Sequence, residues 1–336
     1  MFDRFTLEKY DSQKMYAVYD KWPEIAKNSY EYDWKSVKYQ GIDHIVFAGM
    51  GGSGSVGDIF SSILSKTNLH VSVIKGYTLP KTVDKNSLVI CTSVSGNTAE
   101  TLSILNQAKN LNCELIAFSS GGKIEEFCKS NGVDYRKILE FNSPRASLTS
   151  FVYSMLKILE FILPITKEEV IESIKSLEKT GIEISSNNLT KSNQALNLAK
   201  WISGIPLIYY PWGLQATAIR FKNDLQENAK THALSEDVIE ACHNGIVAWE
   251  KNSEVQPILI RGDKDNLKTK ERWEVLEQYF DERKIVYYEI CSIKGNILSK
   301  LINLIYLFDY SSIYKAILIK VDPTPVSSID FVKKRL

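Results

Sequence analysis

Five short apolar runs organise the first half of the chain: HIVFA at 44–48, HVSVI at 70–74, LVICT at 88–92, ELIAF at 114–118 and YRKILEF at 135–141. HIVFA stops abruptly at a glycine, which is how a strand buried on both faces of a parallel sheet reads. Helix-length segments of mixed polarity lie between most of the runs. Strands alternating with helices imply crossover connections, hence a parallel sheet covered by helices on both faces. From Ala146 to about Trp201 the strand signal stops and long helical segments take over. A second alternation then begins, with PLIYY at 206–210, a helix from about Leu214, QPILIRG at 256–262, a helix over 267–279, KIVYYEI at 284–290 and a long helix over about 296–319. The expected organisation is α/β: a helical leader over 1–36, a first sheet domain over 37–160, a helical connection over 161–200 and a second sheet domain over 201–336. Ligands of such sheets bind beyond the carboxyl ends of the strands.

Composition narrows the classes of function. With 41 basic and 40 acidic residues the formal net charge is +1, so the electrostatic footprint of a nucleic-acid binder is missing. The KKR group at 333–335 reads as a solvated helix end. Five cysteines, an odd number without CxxC spacing, argue against a disulfide framework and read as mostly buried thiols of a reducing compartment. The start, MFDRFTLEKYDSQ, lacks the basic and apolar regions of an export signal. The greasiest tract, FVYSMLKILEFILPI, is interrupted by Lys157 and Glu160, too soon for a membrane span of about 20 apolar residues. A cytoplasmic protein with neither nucleic-acid nor membrane partners is expected.

Two loops carry the ligand signal. IVFAGMGGSG at 45–54 spells GxGxxG on Gly49, Gly51 and Gly54, the fingerprint of a bound dinucleotide. That fingerprint needs an acidic residue after the second strand to hold the ribose, and here HVSVI is followed by Lys75. A nicotinamide site and a plain structural turn both stay open on this loop alone. TSVSGNTAET, the second loop, also leaves a strand and opens a helix, and it sets Ser93, Ser95 and Thr98 beside a helix N-terminus. Free N–H groups and the positive end of the helix dipole favour an anion there. Capping would account for one of the three hydroxyls, and not for all three together with Gly52 and Ser53 from the neighbouring strand end. Hydroxyl donors with few cations suit a small phosphate ester.

GMGGSG followed by SVSGNTAETL resembles the sugar isomerase (SIS) domain, a flavodoxin-like fold that binds phosphosugars through its serine and threonine loop. PRASL at 144–148, QENAKTHA at 226–233, ACHNGIVAWE at 241–250 and DPTPVSSIDFVKK at 322–334 extend the resemblance, in order, to the bifunctional phosphoglucose and phosphomannose isomerases. The resemblance covers most of the chain, from about Ile45 to its end. It implies two flavodoxin-like SIS subdomains and interconversion of glucose 6-phosphate, and mannose 6-phosphate, with fructose 6-phosphate, without a cofactor or metal. It also implies a homodimer.

The chemistry asks for positioned acids and bases, because a proton must leave one carbon beside a carbonyl and return to the next. Glu227 of ENAK matches the family's catalytic base; composition alone would make it a solvent-facing helix carboxylate. His243 of ACHNG matches the histidine that opens the sugar ring, reaching in from the neighbouring subunit. Lys333 matches the terminal-helix lysine that assists ring opening, with Lys334 adjoining it in register. Arg145 of PRASL could stabilise the anionic enediolate; without the family it reads as a surface arginine paired with a carboxylate. His44, His70 and His232 gain no such role, and Cys242 beside His243, the one close Cys/His pair, builds no zinc site. Gly52, Ser53, Ser93, Ser95, Thr98 and Arg145 are the expected substrate contacts. A phosphosugar-binding SIS protein without activity and an isomerase of another phosphosugar are the alternatives.

Overall fold

A computed structural model of the chain describes residues 2–335. In chain order the elements are α1 (Arg4–Tyr10), α2 (Met15–Asp20), α3 (Trp22–Glu31), β1 (His44–Ala48), α4 (Gly51–Leu64), β2 (His70–Ile74), β3 (Ser87–Ser93), α5 (Ala99–Lys109), β4 (Glu114–Ser119), α6 (Gly122–Asn131), β5 (Asp134–Lys137) and α7 (Leu148–Ile158). They continue with α8 (Lys167–Ile184), α9 (Gln194–Trp201), β6 (Ile205–Tyr210), α10 (Gln215–Glu227), β7 (Leu234–Asp237), α11 (Val238–Ala241), β8 (Val255–Arg261), α12 (Leu267–Arg283), β9 (Tyr288–Cys291), α13 (Ile297–Leu318) and α14 (Ser327–Lys333). The chain divides into two compact units, one of Lys21–Lys175 and one that joins residues up to Asp20 with those from Ser176 onward. The N-terminal helices are therefore shared out: α1 and α2 belong with the second sheet and α3 with the first.

Both sheets are parallel and flanked by helices. The first has the order β2-β1-β3-β4-β5, the flavodoxin-like arrangement. Its central strands β1 and β3 are buried along their whole length, which is why they read as unbroken apolar runs, whereas the edges β2 and β5 are half exposed. Alternate residues of β1 face opposite layers. Phe47 stacks on Phe60 of α4 at 5.2 Å between ring centroids. Val46 and Ala48 join Ile104, Leu105 and Ile124 of α5 and α6 in the other core. The second sheet repeats the first four positions as β7-β6-β8-β9. Tyr209 and Leu259 pack with Trp273, Leu276 and Phe280 of α12, and Phe221 of α10 stacks on Phe308 of α13 at 4.5 Å between centroids.

The differences from the sequence reading lie at sheet edges. β5 ends at Lys137, and β9 begins at Tyr288, later than KIVYYEI predicts. β7, LSED, is a strand that no apolar pattern announces; it has no buried residue and is held by pairing with β6. Of the cysteines, Cys91 and Cys128 are buried, Cys113 and Cys242 half-buried and Cys291 exposed, so fewer are inside than expected. Burial pushes the Cys128 thiol up to about 11. Among the described residues no helix is long and apolar enough to cross a membrane.

Candidate active site

The two ligand loops meet at the one place where the first sheet's topology opens a crevice. β1 pairs with β2 on one side and β3 on the other, so the crossovers diverge between β1 and β3, and the register sets Ala48 beside Cys91. Beyond those strand ends lie the starts of α4 and α5. No side chain among the described residues caps the first turn of either helix. Helix starts leave N–H groups without intrahelical acceptors, so two positive helix ends face the same strand tips.

Glycine lets the loops touch. A Cβ on Gly49 would lie 2.9 Å from the Thr92 carbonyl oxygen and 3.0 Å from the backbone of Ser53. Gly51 needs glycine for a different reason, its left-handed φ of +53° in open space. A Cβ on Gly52 would stand 3.3 Å from the Pro144 and Arg145 backbone, so the start of α4 lies against PRASL. Ser53 is buried, and its hydroxyl accepts a bond from the Val94 N–H at 3.0 Å, tying loop to loop.

The hydroxyls of the second loop are not helix caps. Thr98 occupies the cap position of α5 without making a capping bond; its Oγ1 lies 2.9 Å from Oγ of Ser93. Ser93 Oγ also accepts from the Gly96 N–H at 3.1 Å. Ser95 is exposed. Lys75, at the position where a dinucleotide fold places its acid, is ion-paired with Asp58 of α4 at 2.6 Å.

Arg145 is 3% exposed, not the surface arginine that composition suggests. Its turn is locked on both sides. The Ser147 hydroxyl accepts from the Phe141 N–H at 2.8 Å, and the Trp22 indole N–H donates to the Ala146 carbonyl at 2.9 Å. Gly52, Ser53, Ser93, Ser95, Thr98 and Arg145 thus all stand in the first unit.

Glu227, His243 and Lys333 belong to the second unit. Glu227 is the last residue of α10 and half-buried. Since α10 runs back from the carboxyl end of β6, Glu227 lies towards the amino ends of its own sheet's strands. A buried polar seam sets the rotation of α10 on α13. The Arg220 guanidinium donates to Asp309 at 2.5 and 3.0 Å and lies 3.4 Å from Asp224. Asn228 donates to the Ser312 hydroxyl at 2.8 Å. Burial works against the Arg220 charge, and Asp224 and Asp309 outweigh it and hold the group above its ordinary value.

His243 is exposed in the turn between α11 and a short 3-10 helix over Gly245–Glu250. Asp237 caps α11, Asn244 donates to Glu240 at 2.6 Å, and the Trp249 indole N–H donates to the Tyr209 hydroxyl at 2.9 Å. Glu236 packs under the same turn, where a Cβ on Gly245 would come within 2.7 Å of its carboxylate. Burial first, then Glu240 and Asp237, raise the Glu236 carboxyl above its usual range.

Lys333 ends α14, a helix with no buried residue. The turn before it is tied back by a residue the sequence reading passed over. The Lys230 ammonium, three residues after Glu227, donates to the Glu227 carbonyl at 2.5 Å and to the Pro325 carbonyl at 2.8 Å. A lysine just past a helix end, in the slot that usually holds glycine, was the available signal.

Residues 191–336 match the family described as bacterial phospho-glucose isomerase C-terminal SIS domain, and residues 38–159 match the SIS domain. The chain is 32% identical over 329 residues to a bifunctional phosphoglucose/phosphomannose isomerase of Caldicellulosiruptor bescii, covering 94% of this chain and 96% of that one. The Aquifex aeolicus protein of the same name is 30% identical over 325 residues, 94% of either chain. Among solved structures, a hypothetical protein from Thermus thermophilus shares the fold with a TM-score of 0.74 at 15% identity, over 98% of this chain and 92% of that one.

Proposed function

Because the chain belongs to the bifunctional phosphoglucose/phosphomannose isomerase family, we propose that it interconverts glucose 6-phosphate, and mannose 6-phosphate, with fructose 6-phosphate. One observation carries the reading. Two uncapped helix starts, joined by the Ser53 to Val94 bond and lined by Ser93 and Thr98, converge at the β1/β3 crevice. A small phosphate ester matches that set of neutral donors and helix dipoles.

The reaction divides among the remaining residues. His243 gives the proton that opens the ring, with Lys333 as the basic partner; the exposure of His243 supports a homodimer in which it serves the neighbouring subunit's site. Glu227 removes the proton at C2 and returns it at C1, or the reverse. The intermediate enediolate is anionic, and Arg145 stabilises charge that develops only on the way to it. Because the enediolate is planar at C2, it no longer distinguishes glucose from mannose, so both aldoses pass through one intermediate, and the shape of the pocket decides whether both epimers are accepted. The cycle moves protons and leaves no net oxidation, so it calls for no electron carrier. The cytoplasm is the compartment this substrate class suits.

Incubation of the purified protein with each aldose phosphate tests the reading. Fructose 6-phosphate is expected from both, and none from either overturns it. Glu227→Gln should lower turnover by about 10³-fold or more while phosphosugar binding persists. Near-normal turnover in that variant removes Glu227 as the base.

A further inference from the structure

We infer that Lys230 is a positioning residue that locks the end of α10, bearing Glu227, to the turn that carries α14 and Lys333. The inference rests on the reading of Glu227 as the base. An ammonium has three donors, and those of Lys230 go to the carbonyls of Glu227 at 2.5 Å, Pro325 at 2.8 Å and Pro323 at 3.4 Å. The first of these acceptors would be met by any lysine closing a helix, where orphan carbonyls and the negative end of the dipole attract a cation. The other two belong to a turn more than ninety residues on, and C-terminal capping does not account for them.

The backbone points the same way. Lys230 sits at a φ of +53°, the left-handed region that glycine fills at most helix ends without strain. A side chain is kept there at a conformational cost. α14 buries none of its residues, while Pro323 and Thr324 just before it are buried. The position of Lys333 therefore follows that of the turn, and the turn is bonded through Lys230 to the backbone of Glu227.

Lys230→Met keeps the length of the side chain and removes the donors. It should lower kcat on glucose 6-phosphate by roughly 10- to 100-fold, the effect of misplacing a reacting group by about 1 Å, with KM within a few-fold of wild type. Lys230→Arg, which restores donors and charge, should recover a large part of that loss. Hydrogen exchange should quicken in residues 322–335 of the Met variant and stay unchanged in α13. If Lys230→Met does not fold, Lys230→Gln, a neutral donor, replaces it and should fall between Met and wild type. Wild-type kcat in the Met or Gln variant, or equal loss in the Met and Arg variants, overturns the inference. Glu227→Gln run alongside separates the two readings: if it abolishes turnover while Lys230→Met does not, only the lock fails, and if it retains turnover, the base and the lock fail together.

Discussion

Gly49 and Gly51 stand two residues apart in one loop and need glycine for different reasons, so replacing each by alanine separates contact from conformation. At Gly51 a methyl group meets nothing within 4 Å, and the penalty is the left-handed φ of +53° alone. That conformation costs an ordinary residue about 1 kcal/mol. Gly51→Ala should therefore lose about that much stability, Gly51→Asn less, and both should keep turnover within a few-fold. At Gly49 the backbone is not left-handed, and the new Cβ would lie 2.9 Å from the Thr92 carbonyl oxygen, where ordinary contact begins at 3.4 Å. The two loops must then part by about 0.5 Å. The neighbours are backbone atoms of β3 and α4, which cannot rotate away, so overpacking should cost about 1–3 kcal/mol. Thr92 adjoins Ser93, and the same Cβ would lie 3.0 Å from the Ser53 backbone, so the opening falls on the residues proposed above to hold the phosphate. Turnover on glucose 6-phosphate should fall at least about tenfold, by displacement rather than by loss of any functional group. Urea unfolding and a fructose 6-phosphate assay on both variants decide it. If Gly49→Ala is as mild as Gly51→Ala in both measurements, close approach of the loops is not what this glycine provides.

Thr98→Val removes a hydroxyl bonded to Ser93 rather than to the helix, so it should cost less than the roughly 1 kcal/mol of a lost cap while raising KM for the phosphosugar; unfolding and steady-state kinetics measure the two. Glu277 responds to pH. Burial first, then the hydrogen bond and charge of Glu289, against the pull of Arg261, push its carboxyl up from 4.5 to about 7. The folded state binds more protons at this site than the unfolded chain across that window, so its contribution is full below the unfolded value and is lost as pH rises towards 7. Glu277→Gln should flatten the fall in melting temperature between those limits, and an unchanged pH profile would dissociate Glu277 from it.

Much of the molecule is written locally. The central strands β1, β3, β6 and β8 are legible because burial demands largely continuous apolar residues, and the two strand-to-helix loops because an apolar run stopping at glycine or serine marks where a strand ends and a helix begins. The ordered series PRASL, ENAK, ACHNG and DPTPV carries the family resemblance without any knowledge of distance. Other features depend on partners that the local pattern does not name. LSED becomes a strand only because β6 offers its edge, and polar residues suffice where no face is buried. Thr98 has the composition of a cap, yet its hydroxyl goes to Ser93. Arg145 has the composition of a surface charge, yet it is buried in a turn that Ser147 and Trp22 hold. Lys230 passes for one more solvated lysine until the chain brings Pro323 and Pro325 to its ammonium. Periodicity and spacing report what each segment needs of its own backbone and burial. Which acceptor a hydroxyl or ammonium finds is decided only when the tertiary fold has brought that acceptor within reach.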